Sequence, residues 1–393
     1  MKTKQKIGLI GFGVVGTGLY QILDRDSKGL HPFELEKIAV RQKNKRRNFN
    51  KSLLSSAQEI CNTQQIEVVV EAINDAPKAY EIALQTLRSG KGFITANKKM
   101  LAANLPELIA LSREQQVPLL YEAAVCGSIP IIRNLEEYYS FHALTEIRGI
   151  VNGSTNYILD QMQRLQLDYQ LALKNAQELG FAEKDPALDV EGHDASYKLQ
   201  ILILHAFGIF IENELIFKRG ITDLGKDELQ FATQHNLNIK LIASAKQNDI
   251  LELTEAIVCP TLVNANHALS HVKGAQNAIL VGDNEIGFQL FEGQGAGDLA
   301  TGSALFNDLC AAQRGYQYPY KRGLTLQHQI TAPVKKWVLG FHDNLTPIEL
   351  FKSIEPLAIE KIGATIFVTI ASTTQQLQEL TEQYSFTLML LAD

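Results

Sequence analysis

The sequence predicts an α/β fold: an N-terminal parallel sheet of the Rossmann type, an α+β middle domain and a small C-terminal α+β domain. Three observations carry this. A short apolar strand, 6–10, runs into Gly11-Phe12-Gly13-Val14-Val15-Gly16 and then into an apolar-periodic helix. Apolar strands then alternate with helical stretches as far as Tyr121. From residue 331 onward the pattern reads strand, helix, two strands, helix, strand. The expected domains are 1–137 (completed by 299–328), 138–298 and 331–393.

Composition narrows the function classes. The net charge is -6 and no long basic stripe is present, which argues against a nucleic-acid partner. Cys61, Cys126, Cys259 and Cys310 are widely spaced, as expected of reduced thiols in a cytoplasmic protein. The N-terminal apolar run is broken at once by glycines, so no signal peptide is expected. The longest apolar helix, 199–210, is too short to span a bilayer and contains Gln200 and His205, so no membrane partner is expected.

In the glycine loop, Gly11 makes the tight turn, Gly13 lets a pyrophosphate approach the backbone, and Gly16 lets helix and strand pack. The helix N-terminus then faces the phosphates. The second strand, 35–40, ends in Arg41 where an NAD-binding fold usually has an acid. A cation there suits a 2′-phosphate, and Lys43, Lys45, Arg46 and Arg47 follow, so NADP is favoured with NAD possible. Further strands at 68–73, 92–95 and 117–121 place Ile73, Asn74, Asn97 and Lys98 at the same sheet edge as the glycines. Helices are expected at 77–89 and 105–115. The turn at 122–130 offers Glu122 and several carbonyls that could hold a hard cation, although taken by itself the stretch reads first as a structural turn.

Between Gly180 and Lys198 stand five carboxylates, Glu183, Asp185, Asp189, Glu191 and Asp194, on a stretch broken by glycine and proline. It turns into an apolar helix at 195–207, where Asp194 and Lys198 share one face. A half-buried lysine in that position can serve proton transfer; an exposed ion pair beside a solvated loop is the alternative.

Taken together, these residues resemble the homoserine dehydrogenase family. Its signature is met by Ala176, Gly180, Phe181, Ala182, Asp185, Pro186, Asp189, Val190, Gly192, Asp194 and Lys198. The likeness includes the glycine loop, 95–98, 121–130, 149–159 and 293–297, and covers roughly 6–325. The resemblance implies NAD(P)-dependent interconversion of L-aspartate 4-semialdehyde and L-homoserine, within threonine and methionine biosynthesis. By that resemblance Lys198 matches the proton donor/acceptor, and Asp194 and Glu183 the carboxylates that bind the substrate ammonium and orient its reacting end. Lys98 matches a second lysine at the nicotinamide end, and Gly180 and Gly295 match nicotinamide contacts. Glu122, Val125, Gly127 and Ile129 match a monovalent-cation site, usually sodium, built mostly from backbone oxygens. A homodimer, formed by pairing of the middle-domain sheet, or a homotetramer is implied. The substrate carboxylate is expected at Gly153-Ser154-Thr155. The loop 297–303 departs from the family pattern, and Asp343-Asn344-Leu345-Thr346-Pro347 lacks the glycine usual in an ACT-like regulatory domain. The alternative is another amino-acid or semialdehyde dehydrogenase of the Rossmann type.

Overall fold

The structure, a computed structural model, describes residues 4–25, 31–42, 48–331, 333–342 and 355–392. The cations at 43–47, the tail helix expected at 348–354 and the turn at 343–347 lie outside the described residues. The chain forms two compact units. One comprises Met1–Phe141, Leu204–Phe210 and Gly293–Thr325; the other comprises His142–Ile203, Ile211–Glu292 and Leu326–Asp393.

The first unit holds a six-stranded parallel sheet, as the alternation of strands and helices predicts. Its order is Leu54–Ser55, Phe33–Ala39, Gln5–Ile10, Val68–Glu71, Gly92–Thr95 and Leu119–Leu120. Ile7, Leu9, Val69, Val70, Phe93 and Ile94 are fully buried, which explains why these strands read as near-continuous apolar runs. The order reverses between Gln5–Ile10 and Val68–Glu71, and ligands bind at the strand ends beside such a reversal.

Helix Val14–Asp24 packs on helix Asp298–Gln313 at unusually close range. A Cβ on Gly18 would come within 1.8 Å of the Asp298 carbonyl oxygen, and one on Gly302 within 2.6 Å of Gly18. The segment 204–210 is held in this unit by buried His205, which bonds Glu136 at 2.6 Å and the Tyr121 hydroxyl at 2.9 Å.

The helix expected at 105–115 begins earlier, at Lys98, and runs to Gln115 with Pro106 inside it. A proline in the first half of a helix reads as a start signal. Here Asn97 supplies the cap instead, its side chain accepting the Met100 N–H at 3.0 Å.

The second unit is organised by a mixed sheet. Its main path is Gly287–Gln294, Gln276–Asp283, Leu144–Ile150, Leu237–Gln247, Leu253–Asn264, Thr387–Leu391, Lys335–Phe341, Thr365–Ser372 and Ala358–Ile362. The tail strands thus continue the middle-domain sheet. Their bridge is short and parallel, Thr261 opposite Leu390 and Leu262 opposite Leu391. Among themselves they run fourth, first, third, second in chain order, as an ACT-like βαββαβ unit does. One apolar core spans the join: Phe217, Ile257 and Cys259 pack with Trp337, Leu339, Ile370 and Leu390. An ion pair between half-buried Lys335 and buried Glu255, at 2.5 Å, fastens the first tail strand to Leu253–Asn264.

Candidate active site

Each unit carries one group of the expected residues. In the first, Gly11 has φ +105°, and a Cβ there would lie 2.3 Å from the Ala72 carbonyl oxygen. A Cβ on Gly16 would lie 2.2 Å from the Gly11 carbonyl oxygen. These two glycines are therefore required by the turn itself. Gly13 differs: its φ is -89°, and a Cβ would meet nothing within 4 Å. It caps helix Val14–Asp24 without a side-chain bond, and the first turn holds no acid. The helix N-terminus thus presents backbone N–H groups and a positive dipole end beside open space. A dinucleotide pyrophosphate fits that arrangement. Phe12 packs against Tyr20 and Phe49, Val14 is exposed, and Val15 is half-buried.

The neighbouring strand ends are tied together by Glu71, which sequence reasoning missed as a site residue. Its fully buried carboxylate accepts the Ile73 N–H at 2.6 Å and the Thr95 hydroxyl at 2.5 Å. Burial pushes its carboxyl up to about 7, against the opposing pull of bonds from Thr95, Ile73 and Asn97. Asn97 donates to the Ile73 carbonyl at 3.1 Å. Ile73, Asn97 and Lys98 are thereby fixed as one edge, with Asn74 exposed directly after Ile73 and Arg41 exposed after strand Phe33–Ala39. In sequence Glu71 falls inside the strand expected at 68–73, and its partners Thr95 and Asn97 lie more than twenty residues on, which hid this role.

Glu122 is also buried. Its carboxylate accepts the Ile132 N–H at 2.8 Å and the Arg133 N–H at 3.0 Å, capping helix Ile131–Glu136. Its own N–H donates to buried Asp308 at 2.9 Å. Burial raises the Glu122 carboxyl to about 7. Cys126 and Gly127 then turn through φ +54° and +51°. A Cβ on Gly127 would lie 2.7 Å from the Gly295 carbonyl oxygen, and the Ser128 N–H bonds Gln294 at 3.0 Å. The structure thus brings the 122–129 turn and the Gly295 loop together. Ile129's carbonyl accepts the Ile131 N–H at 2.8 Å. Among the described residues, no cluster of three or more His, Cys, Asp or Glu side chains could hold a metal ion. Backbone carbonyls of the turn are the oxygen donors a hard monovalent cation could use.

In the second unit, helix His193–Phe207 begins earlier than its apolar run, so Asp194 and Lys198 both lie on it. Both are buried, and Lys198 Nζ stands 2.7 Å from Asp194 Oδ2. The alternative of an exposed surface pair is therefore excluded. Lys198 Nζ also donates to the Val151 carbonyl at 2.7 Å. Asn152 donates to Asp189 at 2.7 Å and to Asp194 at 2.9 Å. Glu183 is exposed, on a loop held by Gln177, which donates to the Glu183 carbonyl at 3.0 Å. Gly180 has φ +78° and follows helix Tyr169–Glu178, so ending that helix accounts for its conformation. Of the expected carboxylate contacts, the Thr155 hydroxyl is occupied by Asn152, and Ser154 donates to Phe181.

Comparison with known proteins adds to this geometry. Residues 11–122 match the family model described as homoserine dehydrogenase, NAD binding domain, and 130–310 match that of homoserine dehydrogenase. The chain is similar to the homoserine dehydrogenase of Helicobacter pylori, 35% identical over 84% of this chain and 80% of that one. It is similar to the Bacillus subtilis enzyme at 34% over 79% and 73%. It superposes on the crystal structure of a homoserine dehydrogenase from Thiobacillus denitrificans with a TM-score of 0.88 and 27% identity, covering 100% and 99% of the two chains. The chain belongs to the homoserine dehydrogenase family. As a homoserine dehydrogenase it is an oxidoreductase acting on a CH–OH group with a nicotinamide cofactor, interconverting L-homoserine and L-aspartate 4-semialdehyde. The glycine loop lies in the segment matched by the NAD-binding model, and the Asp194–Lys198 cluster in the segment matched by the other. Among the described residues, no helix is long and apolar enough to cross a membrane.

Proposed function

We propose that Lys198 is the proton carrier of the homoserine dehydrogenase reaction. The observation that supports it most directly is its buried pairing with Asp194 beside the Val151 carbonyl. Reducing the semialdehyde needs a hydride and a proton, and the bound nicotinamide supplies the hydride. The Lys198 ammonium stabilises the developing alkoxide and gives it a proton; in homoserine oxidation the lysine takes that proton back. Asp194 orients Lys198, since its Oδ2 accepts both the lysine and Asn152. Exposed Glu183 is then the group for the substrate ammonium. The N-terminus of helix Gly153–Leu165 offers backbone donors for the substrate carboxylate. Lys98, half-buried at the start of its helix, serves the nicotinamide end.

We assign NADP as the preferred cofactor, through exposed Arg41 after strand Phe33–Ala39. A sodium ion on the carbonyls of Val125, Gly127 and Ile129 would stiffen the turn that packs on the Gly295 loop. Both assignments are tested by homoserine oxidation with NADP and with NAD, in sodium and in tetramethylammonium buffers. Arg41→Ala is expected to raise KM for NADP roughly 10- to 100-fold, the worth of one charge-assisted pair, and leave KM for NAD unchanged. Equal effects on the two cofactors would remove Arg41 from phosphate recognition. Turnover indifferent to sodium would remove the cation site.

A homodimer through the sheet edge is the third assignment. Strand Gly287–Gln294 ends the sheet with Phe288 62% and Leu290 41% exposed on alternate positions. An apolar edge of this kind is an association hazard unless covered. Phe288→Glu combined with Leu290→Glu is expected to convert the dimer to monomer in analytical ultracentrifugation. An unchanged mass would place the interface elsewhere.

A further inference from the structure

Asn152 is only 5% exposed and makes four hydrogen bonds with one side-chain amide. Its Oδ1 accepts the Thr155 N–H at 2.9 Å and the Thr155 hydroxyl at 3.0 Å, capping helix Gly153–Leu165. Its Nδ2 donates to Asp189 Oδ1 at 2.7 Å and Asp194 Oδ2 at 2.9 Å. The amide cannot be flipped: that would set its oxygen against two carboxylates and its NH₂ against a backbone N–H. Asp194 Oδ2 is the same atom that meets Lys198 Nζ at 2.7 Å, and the residue before Asn152 supplies the carbonyl that Lys198 also meets. The local chain path brings Asp189 and Asp194 to the same amide nitrogen. Asp189 lies on the short helix Ala187–Val190, and Gly192, at φ +85°, turns the chain between it and helix His193–Phe207. One amide thus pins the carboxylates on either side of that turn.

A cap alone does not need this residue. Ser or Asp would accept the Thr155 N–H as well. Among the common cap residues, asparagine alone accepts at the helix and also donates two N–H groups on the other side. We propose that Asn152 is a positioning residue for proton transfer, aiming Lys198 by holding the Asp194 carboxylate in place. The proposal rests on the reading of Lys198 as the proton carrier.

Asn152→Ser keeps a cap oxygen and removes both donors. Its expected result is a 10- to 100-fold fall in kcat for homoserine oxidation, with KM for NADP within twofold of the parent and some fall in melting temperature, because two carboxylates each lose a donor. Asn152→Thr likewise keeps a cap oxygen without the two N–H donors, so it is expected to lose as much kcat; it serves where the serine variant does not fold. Combining Asn152→Ser with Lys198→Ala is expected to cost nothing beyond Lys198→Ala alone, because the amide acts through the lysine. Parent-like kcat in a folded Asn152→Ser or Asn152→Thr protein overturns the proposal, as does a further loss in the double variant. If Lys198→Ala by itself keeps its turnover, the reading beneath the proposal fails instead, and the two failures are told apart.

Discussion

Lys198→Ala is expected to lower kcat for homoserine oxidation by roughly 10²- to 10⁴-fold, the usual worth of a positioned general acid–base group. Nicotinamide cofactor binding, followed by fluorescence, should stay within about twofold, since the glycine loop is built by a separate set of residues. The argument rests on burial. Lys198 is 8% exposed and its partner Asp194 7%, so the amine is held by the Asp194 carboxylate and the Val151 carbonyl rather than by bulk water. Removing it takes the ammonium away from a buried carboxylate, so some loss of stability is expected too. Lys198→Arg separates the two effects. A guanidinium keeps the charge beside Asp194 but cannot give up its proton near neutral pH. The arginine variant should therefore regain stability and not turnover. Near-parental turnover in either variant would sink the assignment.

The second large effect separates two glycines that look alike in the motif. Gly11→Ala is expected to destabilise the protein by about 2–4 kcal/mol, because its Cβ would meet the Ala72 carbonyl oxygen at 2.3 Å and its φ of +105° is hostile to any side chain. Gly13→Ala should cost about 1 kcal/mol or less, as its φ of -89° suits alanine and its Cβ meets open space. The order reverses for the ligand. Alanine at Gly13 puts a methyl where a pyrophosphate must approach the backbone, and cofactor affinity should fall roughly 10- to 100-fold in a fully folded protein. Thermal unfolding and cofactor titration on both variants check this. A Gly13→Ala protein with parental affinity would show that the phosphates do not cross that point.

Much of this was legible along the chain, for physical reasons. The parallel sheet announces itself because strands buried on both faces must be apolar throughout, as at Val68–Glu71 and Gly92–Thr95. Asp194 and Lys198 were found because helical spacing alone puts them together. What spacing could not supply was burial, which decided between an ion pair in water and one in a site. Asn152 and Glu71 act across long sequence separations, so no local pattern points to them. Strand Gly287–Gln294 carries apolar residues on its exposed face, the reverse of the usual alternation, and escaped notice. Strand Leu253–Asn264 runs past Pro260, where a proline ordinarily signals a stop.

The glycine contact between helices Val14–Asp24 and Asp298–Gln313 has a consequence in time. All six strands of the parallel sheet have been synthesised once Leu120 emerges from the ribosome. The surface on which Gly18 lies still waits for Gly302, which arrives only after the whole intervening stretch has been made. A long closure of this kind is slow, and the unfinished face is one that chaperones and aggregation compete for in the interval. A nascent or truncated chain that ends before Asp298 therefore carries the entire nucleotide motif without the helix that shuts it.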